Sequence, residues 1–179
     1  LSGIATTTKE FAEKVKPYGV KIMDTRKTVP LLRYLEKYAV FTGGGMNHRM
    51  GLYDQVLIKD NHIKYRQEQL TGHKDGFLKG LVEEARRRSQ KGTVIEIEVA
   101  TPEEFSDALL GKPDIIMLDN MGPKEIGACV QIRKLAKQKP LLEVSGGITL
   151  DTVEAYAKTG VDMISSGSLT SSLRPVDMS

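Results

Sequence analysis

The sequence has no tryptophan, a single cysteine and few aromatic residues, and each scarcity excludes a class of protein. One thiol, Cys129, forms neither an internal disulfide nor a multi-cysteine zinc site, and it fits a reducing compartment. Aromatic residues make up 6% of the chain, so stacking surfaces for nucleic-acid bases are scarce. No apolar run approaches the ~18 residues of a membrane span, and no charged-then-apolar leader opens the chain. We therefore expect a cytoplasmic protein that binds neither nucleic acid nor membrane.

An excess of charge of one sign is also missing, since the net charge is only +3 over 179 residues. With 40% hydrophobic and 27% charged residues, the composition is that of an ordinary globular domain. No proline-rich or serine-rich linker divides the chain, so we interpret residues 1–179 as one domain. The chain starts at Leu1 and stops at Asp177-Met178-Ser179 without a turn or cap signal. We expect it to be part of a longer protein, cut at both ends.

Short apolar runs alternate with longer amphipathic stretches along the whole chain. The predicted strands are Val20–Met23, Ala39–Phe41, Val56–Ile58, Val94–Val99, Ile115–Leu118, Leu141–Val144 and Met163–Ser165. The predicted helices are Thr6–Lys16, Leu31–Lys37, Gly76–Gln90, Pro102–Leu110, Pro123–Lys137 and Leu150–Lys158. This alternation indicates an α/β fold with parallel strands and right-handed crossovers. About seven short strands, and no Gly-x-Gly-x-x-Gly after the first, favour a TIM-like (β/α) barrel over a doubly wound sheet.

Acidic residues interrupt one predicted strand, Ile95-Glu96-Ile97-Glu98-Val99. Because side chains alternate across a strand, its aliphatic residues share one face and Glu96 and Glu98 share the other. A solvated edge strand would explain this pattern. We favour carboxylates that point into the barrel, where an unpaired charge costs several kcal/mol and therefore needs a hydroxyl, metal or cation as partner.

Polar residues follow most of the predicted strands. Since the carboxyl ends of parallel barrel strands form one rim, where barrel enzymes keep their chemistry, we expect these residues to lie together. The rim is expected to contain the cations Arg26, Lys27, Arg49 and Lys59, together with His48. It is also expected to contain the carboxylates Glu98 and Asp119. On a protein of small net charge, such a cluster predicts a local anion site.

Two glycine-containing loops follow the last predicted strands. Ser145-Gly146-Gly147 leads toward a predicted helix, and Ser166-Gly167-Ser168 follows one βα unit later. Glycines permit close backbone approach, and free amides at a helix start attract anions. Paired loops of this kind are the usual phosphate site of barrels, so we predict a phosphate cradle here.

Several segments resemble one family. They are Leu1–Thr6, Asp24–Thr28, Glu36–Val40, Gly43–Asp54, Val56–His62, Met117–Asn120 and Glu143–Ile148. Together they closely resemble quinolinate phosphoribosyltransferase (nicotinate-nucleotide pyrophosphorylase, carboxylating), in order along essentially the whole chain. The resemblance implies an open α/β barrel that follows an amino-terminal α/β domain in family members, and Leu1 falls near the start of the barrel part.

The resemblance also implies a reaction and its site. Phosphoribosyl pyrophosphate and quinolinate give nicotinate mononucleotide, pyrophosphate and CO₂ in NAD biosynthesis, with Mg²⁺ on the pyrophosphate. The implied quinolinate binders are Arg26, His48, Arg49 and Lys59. The implied phosphoribosyl pyrophosphate binders are Lys27, Glu98, Asp119, Ser145, Gly146, Gly147 and Gly167, with Glu98 and Asp119 also next to the metal. Lys27, Lys59, Glu98 and Asp119 are the expected catalytic residues.

The sequence departs from the family pattern at one position, and the family site also needs a second chain. Ser171 stands where the family usually has a histidine after the last glycine loop. Its hydroxyl substitutes for that histidine, or phosphate binding is weaker. The family completes its site with an arginine from the amino-terminal domain of a partner subunit, which implies a homodimer or larger assembly.

Three other functions stay open from the residues alone. A phosphoribosyltransferase for another heterocyclic acid would share the phosphoribosyl part of the site. A Schiff-base aldolase acting on a phosphorylated sugar would use Lys59 as its nucleophile. A catalytically silent barrel would only bind phosphate.

Overall fold

The computed structural model describes residues 1–68 and 76–171, whose contacts divide into two compact units. Of the described residues, the first unit comprises 1–52 and 144–171, and the second comprises 53–68 and 76–143. The chain end at Asp177-Met178-Ser179, interpreted above as a cut, lies outside the described residues. Within the described ranges, no helix combines the length and the apolar character needed to cross a bilayer.

Helices and strands alternate along the chain. Their bounds are α1 (Ser2–Val15), β1 (Lys21–Met23), α2 (Arg33–Thr42), β2 (Val56–Ile58), α3 (Asp60–Glu68), α4 (Phe77–Arg88), β3 (Ile95–Val99), α5 (Pro102–Leu110), β4 (Ile115–Asp119), α6 (Pro123–Leu135), β5 (Leu141–Ser145), α7 (Val153–Ala157), β6 (Met163–Ser165) and α8 (Ser168–Ser171). The hydrogen-bonded strand order is β1-β6-β5-β4-β3-β2, and β5 contributes residues to both units.

In the first unit, α1 packs against α2, β1 and α7. β1 pairs in parallel with β6, with Ile22 opposite Ile164. After α2 the chain passes close to α1 at Gly45, where a Cβ atom would lie 2.8 Å from side-chain carbons of Thr8 and Val40. Only glycine fits there, and this close approach lets the following residue, Met46, form an isolated parallel bridge with Met23.

In the second unit, β2, β3 and β4 pair in parallel, and α4, α5 and α6 pack beside one another. α5 begins as its sequence predicts, because the Thr101 hydroxyl accepts from the Glu104 amide at 3.1 Å and Pro102 occupies the first turn. Cys129 lies buried in α6, where burial raises the pKa of its thiol to about 11. It is therefore a buried, unreactive thiol, as its apolar neighbours in the sequence indicate.

The structure confirms most of the predicted elements and corrects one strand. α5, β2 and β6 have the predicted bounds, whereas Ala39–Phe41, predicted as a strand, lies inside α2. Lys37 and Val40 are buried while Tyr38 and Phe41 are exposed, which is helical spacing that a short apolar run hides. The described residues therefore form a sheet of six strands rather than about seven.

Candidate active site

The end of β1 in the first unit carries a buried ion pair. The Asp24 carboxylate is inaccessible to solvent, and the Lys37 ammonium, reaching it from α2, is 1% exposed. Lys37 Nζ donates to Asp24 Oδ1 and, at 3.0 Å, to the His48 carbonyl. Burial raises the pKa of the Asp24 carboxyl, and Lys37 and the His48 amide oppose that rise.

The same carboxylate holds the segment that follows Met46. Asp24 Oδ1 accepts from the His48 backbone amide at 2.8 Å. In the amide orientation that the hydrogen bonds select, Asn47 donates to Asp24 Oδ2 at 2.8 Å and to the Lys37 carbonyl at 2.9 Å. The segment carrying His48 and Arg49 is thus fixed to the end of β1, where the sequence predicts it, although it follows a helix and not a strand.

His48 and Arg49 are both half-buried in this segment. The Nδ1 atom of His48 accepts from the Arg49 backbone amide at 2.9 Å, so in the neutral ring the proton is on Nε2. This nitrogen is then a donor, which suits the recognition of a carboxylate.

Arg26 and Lys27 lie in the loop that follows Asp24, and both side chains are exposed. The Lys27 carbonyl accepts from the buried hydroxyl of Thr170 at 2.6 Å. A Cβ atom on Gly167 would lie 3.3 Å from Lys27 Cδ, so this lysine runs alongside the second glycine loop. The structure therefore joins two of the elements predicted to bind phosphoribosyl pyrophosphate.

The two glycine loops are also joined to each other. The Ser166 hydroxyl donates to the Ile148 carbonyl at 2.8 Å, directly after Ser145-Gly146-Gly147. Gly146 and Gly147 have φ angles of 99° and 61°, which glycine adopts without strain. α7 begins only at Val153, later than the predicted helix start, so backbone of the loop itself, and not a helix N-terminus, forms this part of the surface.

In the second unit, a lysine and a glutamate predicted for the site form an ion pair. Lys59 follows β2 directly, and its Nζ atom donates to Oε2 of Glu98 in β3. The lysine side chain is 42% exposed and the glutamate 11%. Lys59 is also fixed by its backbone, because its amide donates to His62 Nδ1 at 3.0 Å at the start of α3.

The acidic face of β3 is buried and not solvated. Glu96 is fully buried and accepts from Gln55 Nε2, and β3 lies between β2 and β4. The alternative of a solvated edge strand is therefore wrong. Glu98 is the strand partner of Met117, so Asp119, two residues further along β4, shares its face of the sheet. Asp119 is half-exposed and accepts from Asn120 Nδ2 at 2.6 Å.

The sequence analysis did not single out several residues that hold the predicted site residues of each unit in place. In the first unit, Lys37 binds Asp24 and Arg33 binds the Met50 carbonyl, and in the second unit, Gln55 binds Glu96. No local pattern in the sequence distinguishes these three from other polar residues. A usable signal existed for Glu143, which is fully buried in the apolar strand β5, as Glu96 is in β3. An acid inside an apolar run is a general indication of a buried polar site.

Comparisons with known proteins identify the family. A family model described as the C-terminal domain of quinolinate phosphoribosyl transferase matches residues 4–179. The chain is 45% identical to a probable nicotinate-nucleotide pyrophosphorylase (carboxylating) of Methanocaldococcus jannaschii, with 100% of this chain and 62% of the relative covered. A Bacillus subtilis protein of the same name is 43% identical, with 100% and 58% covered.

Solved structures agree with the sequence comparisons. The nicotinate-nucleotide pyrophosphorylase of Francisella tularensis is similar with a TM-score of 0.83 and 40% identity, covering 96% of this chain and 57% of that chain. This likeness and the parallel strand order confirm the predicted α/β fold class with an open, TIM-like sheet. The chain spans about three fifths of the length of the curated relatives it matches. It belongs to the quinolinate phosphoribosyltransferase family, in which it corresponds to the C-terminal domain.

Proposed function

We propose that the protein containing this chain transfers phosphoribosyl from phosphoribosyl pyrophosphate to quinolinate and releases CO₂, giving nicotinate mononucleotide and pyrophosphate for NAD biosynthesis. The observation that carries this proposal is the family match, because it spans every proposed site residue from Arg26 to Gly167. Residues 1–179 supply the catalytic α/β portion. A phosphoribosyltransferase for another heterocyclic acid is the alternative that the substrate test below addresses.

Quinolinate is a dianion, and the proposed binders match its charge. Arg26 and Arg49 are suited to engage its carboxylates, because a guanidinium fork makes two parallel hydrogen bonds to a carboxylate. Lys59 adds a point charge whose position is set by Glu98. His48 adds a neutral N–H donor through Nε2, supported by the hydrogen bond that its Nδ1 accepts from Arg49.

The glycine loops and the acidic pair are the proposed binders of phosphoribosyl pyrophosphate, as the family resemblance implies. Ser145, Gly146, Gly147 and Gly167 would hold the 5′-phosphate, a role supported by the Ser166 bond that joins the loops. Lys27, which runs alongside Gly167, would reach the phosphates near the reacting carbon. Glu98 and Asp119 would bind ribose hydroxyls and stabilise positive charge that grows on the sugar.

Magnesium is the proposed cofactor, and the residues fit it. The ion prefers one or two carboxylates together with phosphate oxygens, and Glu98 and Asp119 present two carboxylates on one face of neighbouring strands. When bound, Mg²⁺ supplies charge neutralisation for the leaving pyrophosphate.

The chemistry needs no general base in its first step. The pyridine nitrogen carries no proton, and it forms the new bond to ribose C1 while a pyrophosphate oxygen leaves with the bonding electrons. Ribosylation makes the ring nitrogen cationic, so the ring accepts the electron pair when the 2-carboxylate leaves as CO₂. A proton from solvent then replaces it at C2.

Two further proposals concern the oligomeric state of the protein and its location in the cell. We propose a homodimer or larger assembly in which a partner subunit contributes an arginine to the site, as the family resemblance implies. We also propose a cytoplasmic location, which the single buried cysteine supports. Sedimentation of the protein at its full natural length tests the assembly, and a monomer at micromolar concentration contradicts it.

Calorimetric titration with quinolinate and nicotinate tests the substrate assignment. The two acids differ by one carboxylate, and a site with two arginines and a lysine should bind the diacid at least about tenfold more tightly, since each charge-assisted hydrogen bond contributes about 1.5–3 kcal/mol. Equal affinities, or no quinolinate binding by the protein at its full natural length, would overturn the assignment. Borohydride trapping with a sugar phosphate addresses the aldolase, which predicts a covalent adduct on Lys59.

A further inference from the structure

Arg33, near the start of α2, binds two separate loops with one guanidinium group. Its Nη2 atom donates to the Arg26 carbonyl at 3.3 Å, and its Nε atom donates to the Thr28 hydroxyl at 3.1 Å. Its Nη1 atom donates to the Met50 carbonyl at 3.1 Å. Nε and Nη2 therefore hold the loop after β1, and Nη1 holds the loop after α2.

These two loops carry the arginines assigned to quinolinate. Arg26 is itself one of the residues whose backbone Arg33 binds, and Arg49 directly precedes Met50. The Asp24 carboxylate fixes the second loop at His48, one residue before Arg49. Arg33 thus hydrogen-bonds to both loops, and in the second loop it does so beyond the residue that Asp24 fixes.

We infer that Arg33 is a positioning residue that sets the spacing of Arg26 and Arg49, and through this spacing the preference for a diacid. The inference rests on the proposed function. Arg33 uses its guanidinium on backbone carbonyls and a hydroxyl, so its role is to hold the residues that bind quinolinate. A diacid needs both arginines at a fixed separation, whereas a monoacid needs only one of them.

Only a guanidinium performs this role. Its N–H donors lie on three nitrogens and point in fixed directions within one plane, whereas a lysine ammonium carries its three donors on one nitrogen at the end of a flexible chain. Without Arg33, the two loops must be ordered when ligand binds, and that ordering reduces the affinity. The reduction should be greatest for the ligand that bridges both loops.

Two substitutions separate positioning from charge. Arg33→Met keeps the aliphatic stem and removes both charge and donors, whereas Arg33→Lys keeps the charge and cannot reach all three acceptors. We expect both variants to bind quinolinate about tenfold more weakly and nicotinate at most about threefold more weakly, which is within the range known for misplaced binding groups. Full quinolinate affinity in Arg33→Lys would show a charge effect and overturn the inference.

A matched control variant is available in the second unit. Arg86 also uses its guanidinium to join two acceptors, the Thr93 carbonyl at 2.8 Å and Asp114 at 2.6 Å. We expect Arg86→Lys and the Arg33 variants to lower the thermal midpoint, but Arg86→Lys should not change the ratio of quinolinate to nicotinate affinity. If Arg86→Lys changed that ratio as much as Arg33→Lys, the effect would be general destabilisation and the inference would be wrong.

A measurement without ligand separates this inference from the proposed function. In the protein at its full natural length, amide hydrogen exchange of residues 24–29 and 46–51 should be about tenfold faster in Arg33→Met than in the unsubstituted protein. Unchanged exchange would overturn the positioning role even if quinolinate binds. Faster exchange in a protein that does not bind quinolinate would instead overturn the proposed substrate and leave the positioning role supported.

Discussion

Each of the two units contains a lysine–carboxylate ion pair at a strand end, and the two pairs differ in burial. Lys37 and Asp24 in the first unit are 1% and 0% exposed, whereas Lys59 and Glu98 in the second are 42% and 11% exposed. Lys37 also donates to the His48 carbonyl, so its donors serve the protein's own backbone. Lys59 keeps nearly half of its surface for solvent or a ligand.

This difference in burial assigns the two pairs different roles. A buried pair is expensive to desolvate and contributes mainly by fixing geometry, and removing one partner leaves an uncompensated charge. A partly exposed pair contributes little stability, because water already solvates and screens it. We therefore expect the Lys37–Asp24 pair to act on stability and the Lys59–Glu98 pair to act on binding.

Lys37→Met should have the largest effect. It leaves the Asp24 carboxylate buried without its cation, and we expect a loss of about 3–5 kcal/mol in the free energy of unfolding. Urea unfolding followed by circular dichroism measures this loss. Lys79→Met is the control, because the Lys79 side chain is 44% exposed, and its change should stay within about 0.5 kcal/mol. A loss below about 1 kcal/mol in Lys37→Met would contradict a structural role for the buried pair.

Lys59→Met should weaken ligand binding and leave the stability of the protein almost unchanged. Removal of one charge-assisted hydrogen bond should weaken quinolinate binding by about tenfold to a hundredfold, while the free energy of unfolding changes by less than about 1 kcal/mol. Titration calorimetry and urea unfolding measure the two quantities. Cys129 reports on the fold of the same unit, and its buried thiol should react with a disulfide reagent as slowly as in the unsubstituted protein. Unchanged quinolinate affinity would remove Lys59 from the binding site.

The positions of Lys59 and Glu98 were predictable from the sequence, because the ends of strands and the alternation of side chains along them are local patterns. β2 has its predicted bounds, so Lys59 follows a strand end as expected. The two-residue alternation of β3 assigned Glu98 to the face opposite the isoleucines, and β3 is a strand throughout. The paired glycine loops were likewise predicted from their position after the last strands, and Ser166 joins them.

The buried pair was not predictable in the same way. Lys37 and Asp24 are 13 residues apart, and nothing local marks a lysine on a short amphipathic stretch as buried. The predicted helix Leu31–Lys37 contained Lys37, but it stopped there because Ala39–Phe41 was predicted as a strand. The helix continues to Thr42, and its buried position Val40 lies on the same face as Lys37, a pattern that the shorter prediction did not show. A tertiary contact determined these residues, and tertiary contacts override local patterns.

The pH dependence of Lys37→Met sharpens the comparison. Burial already raises the pKa of Asp24 with Lys37 present, and loss of this cation, which lowers the pKa, raises it further. A raised pKa means that the folded state binds the proton more tightly than the unfolded state, so stability falls as pH rises through the folded pKa. The loss of unfolding free energy caused by Lys37→Met should therefore be smaller at pH 5 than at pH 8, by at most about 1.4 kcal/mol per unit of pKa rise.

The smallest predicted effect extends the comparison from charges to hydroxyls. Thr170 is 3% exposed and donates to the Lys27 carbonyl at 2.6 Å, whereas the exposed Ser171 donates to the Gly167 carbonyl at 2.8 Å. Thr170→Val leaves a carbonyl without its donor, so we expect a loss of about 1 kcal/mol in unfolding free energy and a severalfold weaker affinity for phosphoribosyl pyrophosphate. Ser171→Ala should change the unfolding free energy by less than about 0.5 kcal/mol, because water replaces its hydrogen bond. Equal losses in both variants would mean that burial does not separate the roles of these neighbouring hydroxyls.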